Sequence, residues 1–340
     1  MNAAHAGAAL AFLLAVAPAS AQNVKITPVG SHPGELCAND RATIFEDPTG
    51  VRILYDAGQT VTGADDARLG AIHVVLLSHA HGDHIGDQKL KAVGAGECAN
   101  SARVPALPNS TTAEIAAAKN AAIAMTSDMG TFIGRKVQNI RGAPVAVCPQ
   151  TAGVTSVPVA APCRSNTHLG GAFIAKTPNA AQGVEITIVF ASHANNVPLA
   201  LLSEPQRANL GADDTSIILG PPTGYVVKFT NGLVAYLSGD TGVHTEMKTV
   251  VHEYHKANLA VLNFGASAMT VASAAYAMNE LVRPASVILT HVNEVATEGG
   301  KLRAASRTAA LIKQLKPTPH LAISGRTMEF DGKGKCVAGC

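Results

Sequence analysis

Residues 76–87 read LLSHAHGDHIGD, and within them His79, His81, Asp83 and His84 fall in the order H-x-H-x-D-H. His79 and His81 are two apart, so on an extended segment both side chains leave the same face and reach toward one cation. Gly82 permits a sharp turn, after which Asp83 and His84 aim at a second position. Imidazole and carboxylate donors suit Zn²⁺, Mn²⁺ or Fe. The preceding run, IHVVLL, reads as a buried strand that holds the loop.

Three further ligand-type residues occupy equivalent settings. His193 lies in VFASHANN, Asp240 in LVAYLSGDTG and His291 in SVILTHVNE. Each stands where an apolar run ends, and rigid elements present reactive groups at such points. Two dications ~3.5–4 Å apart share a water and lower its pKa from about 15.7 toward ~7. The expected chemistry is therefore hydrolysis of an ester, lactone, amide or phosphodiester, with a metal-bound hydroxide as nucleophile. Asp83, or a metal-bound water, is the candidate for passing a proton to the leaving group.

These strings, in this order, resemble the motifs of the metallo-β-lactamase superfamily. Ile53–Gly58 (ILYDAG) is similar to its early strand ending in D-x-G, which brings in Asp56 as a supporting residue. The resemblance spans most of residues 40–325 apart from a central stretch. PTGYVVKFTNGLVAYLSGDTGVHTEMK, from Pro222 to Lys248, looks most like a branch of uncharacterised metal-dependent hydrolases related to ascorbate-phosphate lactonases and to phospholipase D-type members. The resemblance implies a four-layer αβ/βα sandwich and two divalent ions, zinc first, with manganese or iron as alternatives. It implies His79, His81 and His193 on the first ion, Asp83, His84 and His291 on the second, and Asp240 between them. The ligand cysteine of one β-lactamase branch has no counterpart. The loop Gly265–Thr270 lacks a histidine that relatives often carry there.

Other polar residues carry weaker readings. His244, four residues after Asp240, is a candidate pocket residue or a solvated helix-start histidine. Asn195 and Asn196 are candidate substrate donors or turn formers. Asn293 and Glu294 are candidates for orienting the His291 ring. His252 and His255, in HEYH, lack the H-E-x-x-H spacing and read as a surface helix face. His32, His73, His168 and His320 show no ligand context. The absence of a G-x-G-x-x-G or P-loop setting argues against a nucleotide cofactor.

The elements that must position these groups are mostly strands. Those expected are 24–27, 42–45, 51–55, 72–77, 184–190, 225–229, 233–237, 259–263, 286–290 and 321–324, each β-branched or apolar and bounded by turn residues. Asn231-Gly232 between two apolar runs is a hairpin signal. Helices are expected over 112–125, 271–282 and 302–315. Residues 93–182, with one helix and one short strand (145–147), read as an insertion between core strands. Strands first, then strands alternating with helices, indicate a layered α/β fold.

The chain is 340 residues long, 47% hydrophobic and 15% charged, with net charge +2. That composition builds a core, and near-neutrality without basic blocks gives no indication of a nucleic-acid footprint. Residues 1–21 carry an apolar stretch and Ala19-Ser20-Ala21, the pattern of a cleaved signal peptide. It leaves a single domain over 22–340, no stable membrane span, and a periplasmic or secreted location. Cys37, Cys98, Cys148, Cys163, Cys336 and Cys340 form no C-x-x-C pair, and an even count in an exported chain indicates disulfides. Cys148 with Cys163 and Cys336 with Cys340 are local candidates. The expected partner is a small-molecule substrate. Two rival readings are an iron-dependent oxidoreductase of the same fold and a non-catalytic metal-binding protein.

Overall fold

The computed structural model describes residues 22–265 and 268–340. The signal-like stretch 1–21 lies outside the described residues, as do Ala266 and Ser267. Two β-sheets face each other. The nine-stranded sheet runs Ala146–Val147, Cys163–Arg164, Ala122–Ile123, Val74–Leu76, Arg52–Tyr55, Thr43–Glu46, Val24–Pro28, Met328–Phe330 and Cys336–Ala338. The eight-stranded sheet runs Val154–Ser156, Ala172–Lys176, Val184–Phe190, Thr223–Lys228, Val234–Leu237, Leu259–Asn263, Ser286–Thr290 and Thr318–Leu321.

Strand side chains alternate between faces, and both faces are covered. Ile53, Tyr55, Val74 and Leu76 pack with Tyr225, Leu237 and Val261. Leu54, Val75 and Leu77 pack instead with Ile115, Ile133 and Val137 from two helices, Thr111–Ala118 and Ser127–Arg141. Burial on both faces is why these strands read as continuous apolar runs. On the second sheet, the helical segment Val271–Val282 and the helix Arg307–Ile312 add Met278, Val282 and Leu311 to its core. The order is helix, sheet, sheet, helix: the four-layer αβ/βα sandwich that the resemblance implies.

Several expected boundaries move. The helix placed over 112–125 stops at Ala118, because Asn120 turns into a left-handed conformation and Ala122–Ile123 joins the first sheet beside Val74–Val75. The helix placed over 302–315 is Arg307–Ile312, capped by Ser306, whose hydroxyl accepts from the Ala309 N–H. The strand placed over 321–324 is Thr318–Leu321, which tolerates Pro319 because it is an edge strand. The hairpin at Thr230–Gly232 forms, joining Thr223–Lys228 to Val234–Leu237. Helices Ser127–Arg141 and Glu204–Ala212 were not expected, whereas Met247–Tyr254 forms where His252 was read as part of a surface helix face.

Residues 93–182 hold far more than one helix and one strand. They supply Ala122–Ile123, Ala146–Val147 and Cys163–Arg164 to one sheet and Val154–Ser156 and Ala172–Lys176 to the other. The stretch therefore widens both sheets. Disulfides pair Cys37 with Cys98, Cys148 with Cys163 and Cys336 with Cys340. Among the described residues no helix is long and apolar enough to cross a membrane.

Strand direction creates one common rim. Arg52–Tyr55 and Val74–Leu76 are parallel, as are Val234–Leu237, Leu259–Asn263 and Ser286–Thr290. Val184–Phe190 is antiparallel to Thr223–Lys228, which is antiparallel to Val234–Leu237, so its C-terminal end also faces that rim. Carboxyl ends of strands are where α/β folds place their sites.

Candidate metal centre

The two sheets are bonded together at this rim. The Tyr225 hydroxyl donates to the Leu77 carbonyl at 2.7 Å, and the Thr223 N–H donates to the Ser78 carbonyl at 2.9 Å. The Gly239 N–H donates to the Tyr55 hydroxyl at 3.0 Å. Burial pushes the pKa of both phenols up, so both stay protonated, Tyr225 as donor and Tyr55 as acceptor. Gly239 has φ +60°, and a Cβ there would stand 2.6 Å from the Thr223 carbonyl oxygen. Only glycine suits that approach, and it delivers Asp240 to the rim.

Asp56, at the end of its strand, accepts from the Ser78 N–H at 2.8 Å, the Ser78 hydroxyl at 2.7 Å and His84 Nδ1 at 2.7 Å. With its proton committed to Asp56, the Ser78 hydroxyl accepts from His79 Nδ1 at 3.0 Å. One carboxylate thereby fixes both rings with Nε2 aimed outward, as metal-ligand histidines require. Gly82 is not a sharp turn, contrary to the expectation. It opens the one-turn helix Gly82–Ile85, and its missing Cβ makes room for the Asp87 carboxylate 2.6 Å away.

All seven ligand-type residues converge. His79, His81 and His193 form one group whose donor atoms lie within 4.8 Å of one another. Asp83, His84 and His291 form another, and His79, His84 and Asp240 a third that links them. Asp240 Oδ2 is 3.2 Å from His291 Nε2 and 3.9 Å from His193 Nε2, while its Oδ1 is 3.5 Å from His84 Nε2. Tetrahedral donors about 2.1 Å from one ion stand about 3.4 Å apart, so these spacings suit shared coordination spheres. His84 Nε2 and both His291 ring nitrogens are buried without a hydrogen-bond partner. Such orphaned nitrogens are costly unless something else takes their lone pairs, and the donor set fits divalent cations.

The charges fit as well. Burial lowers His79 well below the usual histidine range, aided by the neighbouring His84, and burial also lowers His81 and His291. Burial would lower His84 too, but the Asp240, Asp83 and Asp56 carboxylates outweigh it and push it up to about 10. Asp83 and Asp240 resist burial and stay ionised, held down by Arg41 and the histidines around them.

Three contributors carried no sequence signal. Arg41 is an ion-pair partner of Asp83, its own side chain 1% exposed and that of Asp83 37% exposed. Asn263, ending its strand, donates to Asp240 Oδ1 at 3.0 Å. The Asp40 carbonyl accepts from the His291 N–H at 3.0 Å, supporting a residue held at φ +48°.

The weaker candidates fare differently. Asn195 is neither a substrate donor nor a simple turn former. It is buried, accepts from the Ala80 N–H at 2.7 Å and donates to the Leu219 carbonyl at 2.9 Å, bracing the residue between His79 and His81. Glu294 does not orient His291; it accepts from the Arg307 and Thr308 N–H groups, capping their helix. Asn293 is exposed with φ +54° and has no hydrogen bond to His291. His244 is half-buried with its ring edge-on to Phe190 at 5.2 Å, and no hydrogen bond joins it to the seven. His252 and His255 enter no three-residue cluster among the described residues. His320 gathers with Cys336 and Cys340, but those sulfurs are spent in a disulfide.

The chain has the metallo-β-lactamase fold, and its metal-binding rim stands where the strands of that fold end. Its relatives include a UPF0173 metal-dependent hydrolase of Cupriavidus taiwanensis, 26% identical over 224 residues, covering 66% of this chain and 59% of that protein. Another, from Polaromonas sp., is 30% identical over 158 residues, covering 43% and 55%. The chain thus spans somewhat over half the length of these curated relatives. Among solved structures, the metallo hydrolase Igni18 of Ignicoccus hospitalis superposes with a TM-score of 0.53 at 20% identity, covering 91% of this chain and 99% of that one. No family model matches the chain.

Proposed function

We propose that the chain is an exported, dinuclear metal-dependent hydrolase acting on a small lactone, ester or phosphodiester. The observation that carries this reading is the convergence of a three-histidine group and an Asp83/His84/His291 group about the Asp240 carboxylate. The name metal-dependent hydrolase borne by the relatives supports the reaction class. Three disulfides and the signal-like residues 1–21 support export. The imidazole-rich donor set favours zinc, with manganese and iron as the metals to compare.

His79, His81 and His193 would hold one ion, Asp83, His84 and His291 the other, and Asp240 both. Bound there, two such ions would supply an acidified water, its pKa lowered toward ~7, and polarisation of the scissile carbonyl or phosphoryl oxygen. The chain's own work is positioning. Asp56 and Ser78 set the His79 and His84 tautomers, Asn263 steadies Asp240, and Asn195 braces the backbone at Ala80. Asp83, ionised against Arg41, is a poor proton donor. Its role in this reading is that of a ligand rather than the acid for the leaving group.

The test is metal depletion, reloading with zinc, manganese or iron, and assay against a lactone, a nitrophenyl ester and bis-nitrophenyl phosphate. Metal-restored turnover of at least one is expected, with His81→Ala reduced by on the order of 100-fold or more. No turnover of any substrate at saturating metal, with two ions bound, would leave a metal-binding protein and overturn the enzyme reading.

A further inference from the structure

Among the described residues, Arg41 is the one cationic side chain against the metal-centre carboxylates that does not itself offer a ligand. Its guanidinium is buried and paired with Asp83 Oδ2, and its Nε donates to the Asn39 carbonyl at 3.2 Å. Asp83 Oδ2 is also the oxygen nearest the other two members of its group, 3.6 Å from His291 Nε2 and 3.8 Å from His84 Nε2. With its side chain only 1% exposed, Arg41 has no surface to offer a substrate. A guanidinium cannot shed its proton at working pH, so its charge is permanent.

We infer that Arg41 makes the two ion positions unequal, weakening the Asp83/His84/His291 position so that it fills second. The inference rests on the two-ion reading above. The His79/His81/His193 group offers imidazoles alone, and among the described residues no Lys or Arg side chain is bonded to it. The other group owns a carboxylate, which by charge alone makes it the stronger site. Arg41 cancels that advantage. It neutralises the Asp83 charge and occupies the oxygen that an ion there must share. With the guanidinium itself sealed inside the protein, its repulsion of an ion is screened less than that of a surface charge. The first ion then draws on Asp240 without opposition, and the second meets two positive charges.

Arg41 is also set in place by its own segment. The Asp40 carboxylate accepts from the Ser31 N–H at 2.7 Å and the Cys37 N–H at 3.0 Å, and Cys37 is bonded to Cys98. The guanidinium therefore has little freedom to swing away when an ion arrives.

The alternative role for Arg41 is simple support, pinning Asp83 in a ligating pose. The two roles predict opposite signs. Zinc binding to metal-depleted wild type, Arg41→Met and Arg41→Lys is measured by chelator-competition calorimetry, with stoichiometry from elemental analysis. Wild type and Arg41→Lys should bind two ions in resolved steps. Arg41→Met should tighten the second step by about tenfold or more and leave the first within about threefold. Two ions with an unchanged or weaker second step in Arg41→Met would overturn the inference alone. One ion in all three proteins would overturn it together with the two-ion reading.

Cadmium-113 resonance on wild-type protein provides a check free of any folding defect in the variants. A single resonance up to one equivalent, and a second only beyond it, is the expected result. Two resonances growing together from the first addition would overturn the inference.

Discussion

His84 faces the carboxylates of Asp56, Asp83 and Asp240, and that setting makes the stability of the metal-free protein depend on pH in a defined direction. Its pKa is raised to about 10 when folded. The stabilisation that follows is complete below the unfolded value of about 6.5 and is lost as pH rises through about 10. Asp83 and Asp240 are depressed, so their contribution is present above about 3.9 and lost as pH falls below it. The thermal midpoint in EDTA should therefore fall steadily from about pH 6.5 to 10, and fall again in acid below about pH 4. Zinc should abolish or reverse the alkaline fall, because the ion takes the place of the His84 proton. Asp56→Asn should flatten it, having removed one of three carboxylates. Circular dichroism melts from about pH 3 to about pH 10 read both limbs directly, and a flat EDTA profile above about pH 6.5 would contradict a protonated His84.

At the scale of elements, the sequence shows best what chemistry repeats locally. Val74–Leu76, Val184–Phe190, Val234–Leu237 and Ser286–Thr290 are apolar or β-branched and largely buried, so their runs stand out, and the ligand residue after each strand is legible with them. The helix Ser127–Arg141 is hidden because Gly130 and Gly134 dilute its helical pattern, though both lie close to neighbouring chain, near Met125 and Val145. Ala122–Ile123 is hidden because two residues show no period; only its neighbours in the sheet make it a strand. Arg41 and Asn263 are invisible for a related reason: their partners lie 42 and 23 residues away. The sheet-to-sheet bond from Tyr225 to the Leu77 carbonyl belongs to the same class. Tyr225→Phe leaves that buried carbonyl unpaired and should cost about 1–3 kcal/mol of unfolding free energy. Urea denaturation checks it, and an unchanged midpoint would mean that packing and the Thr223–Ser78 and Gly239–Tyr55 bonds hold the rim without it.

Across the whole molecule the three disulfides close loops of very different length, with sequence separations of 61, 15 and 4 residues. Chain entropy assigns them about 4, 3 and 2 kcal/mol. The Cys37–Cys98 bridge does more than close the longest loop. It ties the segment that carries Asp40 and Arg41 to the ribbon formed by Gly96–Glu97 and Asn100–Ser101, and the Ala38 N–H donates to the Cys98 carbonyl beside it. Through the Asp40 carbonyl that segment also holds His291 at the end of its strand. Cys336–Cys340 closes a short loop after the last strand of the first sheet, remote in sequence from every ligand residue. The double variant Cys37→Ser/Cys98→Ser should therefore lose about 2–4 kcal/mol, and Cys336→Ser/Cys340→Ser no more than about 2. Urea midpoints of the oxidised proteins provide the comparison, and thiol titration of denatured wild type should find no free cysteine. Equal losses in the two variants would mean that the long loop is already held by its hydrogen bonds. Six free thiols in protein recovered from the periplasm or medium would remove the bridges, and with them the chief structural support for export.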